Sequence, residues 1–140
     1  MLNDEKIRNL VRQNIGEGEA EGYYFYGVIT ATIGKIMLLG SLSSLAYKYY
    51  LVNVTDRKID LYGLDMMGDP KDYSYVPMCD IKSVKISNWL FGLGRKIYIE
   101  TNNGVKLKFK ANSHTLGIKA QKNNLIEIEK HFTNNNTSGV

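Results

Sequence analysis

The sequence predicts one α+β domain: a short amphipathic helix, a run of short antiparallel strands and a closing amphipathic helix. Three observations carry this. The chain has 140 residues, enough for one domain with one core. Apolar residues recur at helical spacing near both ends, at Ile7, Leu10, Val11 and Ile15 and again at Ile118, Leu125, Ile128 and Phe132. Between these ends, from Tyr47 to Phe109, the dominant period is two.

Residues 4–15 read as the first helix, with Asn3 or Asp4 capping its first amides and Gly16 placed to stop it. Glu17 to Gly22 is a polar acidic linker. Tyr23–Ala31 is aromatic and β-branched and reads as a strand. Residues 33–46 stay open between loop and short helix: glycines punctuate them, yet Ile36, Leu39, Leu42 and Leu45 fit a helical stripe. Tyr49, Leu51 and Asn53 then alternate with Tyr50, Val52 and Val54. Thr55–Lys58 turns the chain into a strand holding Ile59 and Leu61. Met66–Asp72, with Gly68-Asp69-Pro70, is a loop. Tyr73–Pro77 is a short strand whose proline suits an edge, and Ile81, Val84 and Ile86 mark another.

The hairpin at 95–111 has the sharpest signal. A two-residue turn at Asn103-Gly104 would pair Ile99 with Lys108 and mix core with solvent. A three-residue loop, Asn102-Asn103-Gly104, pairs Thr101 with Val105, Ile99 with Leu107 and Ile97 with Phe109, with Gly104 in the left-handed position. The same register sets Glu100 opposite Lys106, Tyr98 opposite Lys108 and Lys96 opposite Lys110. Ser113 is a candidate cap for the closing helix, and Thr133–Val140 is a polar, frayed tail. The expected organisation is a helix and acidic linker over 1–21, the domain proper over 22–132 and a disordered tail over 133–140.

Net charge is +4, but it is unevenly spread. Residues 82–110 hold seven basic residues and one acidic one, whereas residues 1–21 hold three basic and five acidic. A focused positive face attracts anionic lipid or an acidic partner; the plain alternative is a solvated strand face. Lys106, Lys108 and Lys110 alternate with Val105, Leu107 and Phe109, which puts the three lysines on one face. Lys96 joins them through the hairpin register, and Lys85 of the preceding strand extends the patch. A second candidate surface is the glycine-bounded loop around Trp89, Leu90 and Phe91, with Arg95 and Lys96 beside it, which could dip into an anionic interface.

Several function classes lack their residues. A single cysteine, Cys79, excludes an internal disulfide framework and a multi-cysteine zinc site, and Asp80 is the wrong neighbour for an activated thiol. His114 and His131 have no partner spacing, and neither Gly16-x-Gly18 nor Gly92-x-Gly94 continues as a nucleotide loop. The reading is therefore of no enzyme, no cofactor and no metal. Nucleic acid is disfavoured because the tyrosines cluster at 23–50, away from the basic stretch. Tyr23 to Tyr50 imitates a membrane span, but Lys35 and three glycines interrupt it, and its longest charge-free run falls short of the ~20 residues a span needs. The charged start and the lone cysteine point to a cytoplasmic protein, peripheral at the membrane if its loop inserts.

Tyr49–Ile59, with Thr55-Asp56-Arg57-Lys58, resembles the strand–turn–strand of bacterial pleckstrin-homology-like domains. Val76-Pro77-Met78-Cys79-Asp80-Ile81-Lys82-Ser83-Val84 resembles their Pro-x-x-Asp-Ile segment, and Ile97–Phe109 is similar to their Ile-x-Ile hairpin. The nearest type is the YokE-like or short bacterial one, and the resemblance spans about residues 45–132. It implies a strongly bent sheet or partly open barrel of about seven strands, with Leu125, Ile128 and Phe132 of the last helix entering its mouth. It also implies a binding module whose partner is another protein or a second copy of the chain, with an anionic membrane surface as the alternative.

Overall fold

The computed structural model describes residues 2–33, 39–40 and 47–138, and the open question over 33–46 falls largely outside them, as does the end of the tail. Helix α1 spans Asp4–Arg12, and Asn3 is its cap, its Oδ1 accepting the Lys6 N–H at 2.9 Å. Asp4 and Glu5 in the first turn and Arg12 in the last complement the helix dipole. The helix ends before the residue 15 that apolar spacing predicts. Asn14 turns its Nδ2 to the Leu10 carbonyl and to the Tyr62 hydroxyl, and Gly16 does not stop the helix: its N–H donates to Glu19 Oε1 at 2.9 Å.

Eight strands follow: β1 Tyr23–Ile33, β2 Leu39–Gly40, β3 Tyr49–Val54, β4 Lys58–Leu64, β5 Pro70–Pro77, β6 Ile81–Trp89, β7 Gly94–Thr101 and β8 Lys106–Asn112. They form one antiparallel sheet in the order β2-β5-β4-β3-β1-β8-β7-β6. Seven are full strands and β2 has two residues, so the architecture is the expected α+β one. The sheet does not close, because β2 and β6 stand at its edges among the described residues. The β7–β8 hairpin has the register that the alternation requires, with Ile99 opposite Leu107 and Ile97 opposite Phe109. Gly104 sits at φ 86°, and the Thr101 N–H donates to the Val105 carbonyl at 2.9 Å.

The inner face holds the main core. Phe25, Tyr50, Val52, Leu61, Ile97, Ile99, Leu107 and Phe109 pack there with Leu125, Ile128 and Phe132 of helix α2, Gln121–Ser138. Phe109 meets Phe25 and Tyr50 edge-on at ring-centroid distances of 6.3 and 6.1 Å. The outer face of β1, β3 and β4 is covered by α1, whose Ile7 and Val11 pack on Tyr24, Leu51, Tyr62 and Leu64. Strands β3 and β4 are therefore buried on both sides.

Helix α2 starts later than the Ser113 cap implies. Ser113 is buried in the preceding loop, where its N–H donates to the Leu93 carbonyl at 2.8 Å, and Ile118 packs with the α1 cluster instead of the inner core. Strand β1 pairs with β8 only from Val28 onward, which leaves the Tyr24 and Tyr26 backbone groups on that side without a strand partner. Buried Gln121 supplies one: its Oε1 accepts the Tyr26 N–H and its Nε2 donates to the Tyr26 carbonyl, at 2.9 and 2.8 Å. Asn124 donates to the Tyr24 carbonyl at 3.0 Å. The helix continues to Ser138, past Phe132, where the sequence places the start of a tail.

Candidate binding surface

Beyond the strands that α1 covers, β8, β7 and β6 continue the sheet and present an open outer face. Strand parity puts Leu107, Phe109, Ile97 and Ile99 inward, so Lys106, Lys108, Lys110, Lys96 and Tyr98 face out. Lys85 lies opposite Tyr98, which lies opposite Lys108, so these three form one cross-strand row. Ser87, Lys96 and Lys110 form the next row. The five lysines of the sequence patch thus share one face, with Glu100 opposite Lys106 as its acid. A shallow cavity of about 270 Å³ lies between Lys85, Tyr98, Glu100, Lys106 and Lys108. Aromatic rings steady two of the ammonium groups: Lys108 Nζ sits 5.6 Å from the Tyr98 ring and Lys110 Nζ 5.1 Å from Trp89.

The loop residues divide in a way the sequence grouping missed. Trp89 shares parity with Lys85 and lies on the outer face, its ring against Gly94; a Cβ built at Gly94 would stand 2.6 Å from it. Leu90, Phe91 and Leu93 are exposed. Arg95 is on the other side of the strand. It pairs with Ala111, a core residue, and its Nε meets Glu129 of α2 at 3.3 Å while Nη1 donates to the Gly94 carbonyl. Its parity with Ile97 and Ile99 was the available signal. Trp89 and Lys110 also line a groove of about 330 Å³ with Tyr26, Tyr49 and Lys48, where Tyr26 and Tyr49 stack 5.9 Å apart.

The acidic linker is a packed element. The Glu19 side chain is 1% exposed and forms an ion pair with Lys58 Nζ at 2.8 Å. Its other oxygen accepts the Thr55 hydroxyl at 2.5 Å. Burial alone would raise this carboxyl; the hydrogen bonds from Lys58, Thr55 and the Gly16 N–H outweigh it and hold the group below its ordinary value. Nearby, buried Asp60 accepts the Tyr73 hydroxyl at 2.7 Å, and burial pushes its carboxyl up despite that bond and the charge of Lys58. Asn53 joins this network to the Glu21 carbonyl at 2.9 Å. Every member is tied to the loop or to strands β3 to β5, so the network anchors the loop.

The chain matches the family model of the bacterial PH domain over residues 1–128. It belongs to that family. The match includes α1 and the packed acidic loop, both of which precede the segment that carries the sequence resemblance. Neither a curated protein nor a solved structure matches the chain. PH domains are generally non-catalytic modules that mediate protein or lipid interactions, and this PH sheet is consistent with that class. No helix among the described residues is long and apolar enough to cross a membrane.

Proposed function

We propose that this PH domain is a non-catalytic binding module whose lysine face takes an acidic protein surface, that of a partner or of a second copy. The observation that carries this is Lys96 directly opposite Lys110. Like charges paired across strands repel, at a cost of roughly 0.2–1 kcal/mol. Solubility alone is served as well by lysines placed apart or alternating with acids. Here the lysines converge, Lys85 and Lys108 flank Tyr98, and the cavity between them is open to solvent. An acidic side chain entering it would meet Lys85, Lys106 and Lys108, three cations against the one carboxylate of Glu100.

The test is fluorescence anisotropy with a labelled oligoglutamate peptide, across a salt series. Wild type is expected to bind at low salt and to weaken as salt screens the face. The Lys106→Glu, Lys108→Glu, Lys110→Glu triple variant, shown folded by circular dichroism, is expected to lose that binding. Equal binding by wild type and variant would mean that the lysines are only a solvated face.

A further inference from the structure

The β6–β7 connection holds apolar side chains outward on a backbone that resists being there. Leu90 and Phe91 have φ of 52° and 55°, and Gly92 follows at 89°, so three successive residues are left-handed. Glycine accepts this conformation; leucine and phenylalanine rarely do. The result is a projecting tip. Phe91 is fully exposed and Leu90 and Leu93 are exposed beside it. A Cβ at Gly92 would have nothing within 4 Å. The loop after β8 is tied to this tip by the Ser113 N–H on the Leu93 carbonyl, and it carries exposed Leu116.

The charge around the tip is cationic. Lys110 stands over Trp89 at the base, and Lys96 lies opposite Lys110. The nearest acid of helix α2, Glu129, is engaged by Arg95. We propose that this tip inserts into the headgroup–acyl boundary of an anionic bilayer, Phe91 leading, with Lys96 and Lys110 on the headgroups. A convex apolar point with cations at its base fits a fluid, negatively charged interface, whereas a protein partner would have to supply a matching concavity. Lys96 and Lys110 also belong to the lysine face, but the apolar tip does not, so substitutions at the tip separate this inference from the acidic-protein reading.

The chain has a single tryptophan, Trp89, at the base of the tip, and its emission reports insertion directly. The experiment titrates the protein with phosphatidylcholine vesicles with and without phosphatidylserine, and with brominated lipid. Wild type is expected to partition onto the phosphatidylserine vesicles, with a blue shift and with quenching by brominated lipid. The Phe91→Asn, Leu93→Asn variant is expected to partition roughly ten- to a hundred-fold more weakly. Asparagine tolerates the left-handed backbone at 91, so the fold is kept, and the variant should bind the oligoglutamate peptide as wild type does. Absent partitioning of wild type, or equal partitioning of the two, overturns the proposal. So does light scattering without lipid that shows wild type self-associating and the variant monomeric, since the tip would then be a protein contact.

Discussion

Breaking the Glu19–Lys58 pair should unfasten the loop between α1 and β1. Lys58→Met leaves the Glu19 carboxylate buried with only the Thr55 hydroxyl and the Gly16 N–H to face its charge. Removing one partner of a buried ion pair costs about 3–5 kcal/mol. Glu19→Ala is the milder change, near about 3 kcal/mol, the low end of that range. The ammonium it leaves keeps the Asn14 carbonyl at 2.7 Å and the Tyr75 ring, and its side chain is 13% exposed. The double variant orphans neither charge, so its loss should fall short of additivity by about 2–3 kcal/mol. Urea unfolding of the four proteins at pH 7, with unchanged m-values, measures this coupling. Losses that add within about 0.5 kcal/mol would refute the argument that the pair acts as a unit. A pH series gives a second reading. Glu19 is held below the ordinary carboxylate value, so its stabilisation is present above that value and is lost as pH falls through the depressed one. Wild type should therefore lose its advantage over Glu19→Ala as the solution is acidified.

Two further substitutions probe the sheet. Gly94→Ala puts a methyl group 2.6 Å from the Trp89 ring and 2.8 Å from the Ala111 carbonyl, so it should cost about 1–3 kcal/mol and shift Trp89 emission as the ring is displaced. Phe109→Ala removes the ring between Phe25 and Tyr50 and should cost about 3–5 kcal/mol in thermal or urea unfolding.

The β7–β8 hairpin was legible because turn length and alternation constrain each other: only a three-residue loop keeps Ile97, Ile99, Leu107 and Phe109 on one side. The lysine patch followed from the same parity. Strands β3 and β4 were legible as strands but not as two-sided ones, since no local pattern says that α1 covers Leu51 and Tyr62. Glu19 counted in sequence as one of several acids, and its burial depends on a lysine 39 positions away. Arg95 was misplaced by adjacency to the apolar loop, although its parity with Ile97 gives its true side. The Leu90-Phe91 backbone was not legible, because nothing in those residue types asks for a left-handed conformation.

The Asp4 carboxylate has consequences for how the chain reaches its fold. It accepts the Tyr24 hydroxyl at 2.5 Å and the Lys119 and Ala120 N–H groups at 2.7 and 3.3 Å. The first helix is thus fastened by residues more than a hundred positions further along the chain. Until they emerge, Ile7 and Val11 lack part of their seat, and the apolar side of β3 and β4 waits uncovered. Long-range closure of this kind comes late in folding and leaves partly built chains prone to aggregate. A nascent chain stalled before Lys119 should therefore call on chaperones that a chain extended past helix α2 no longer needs.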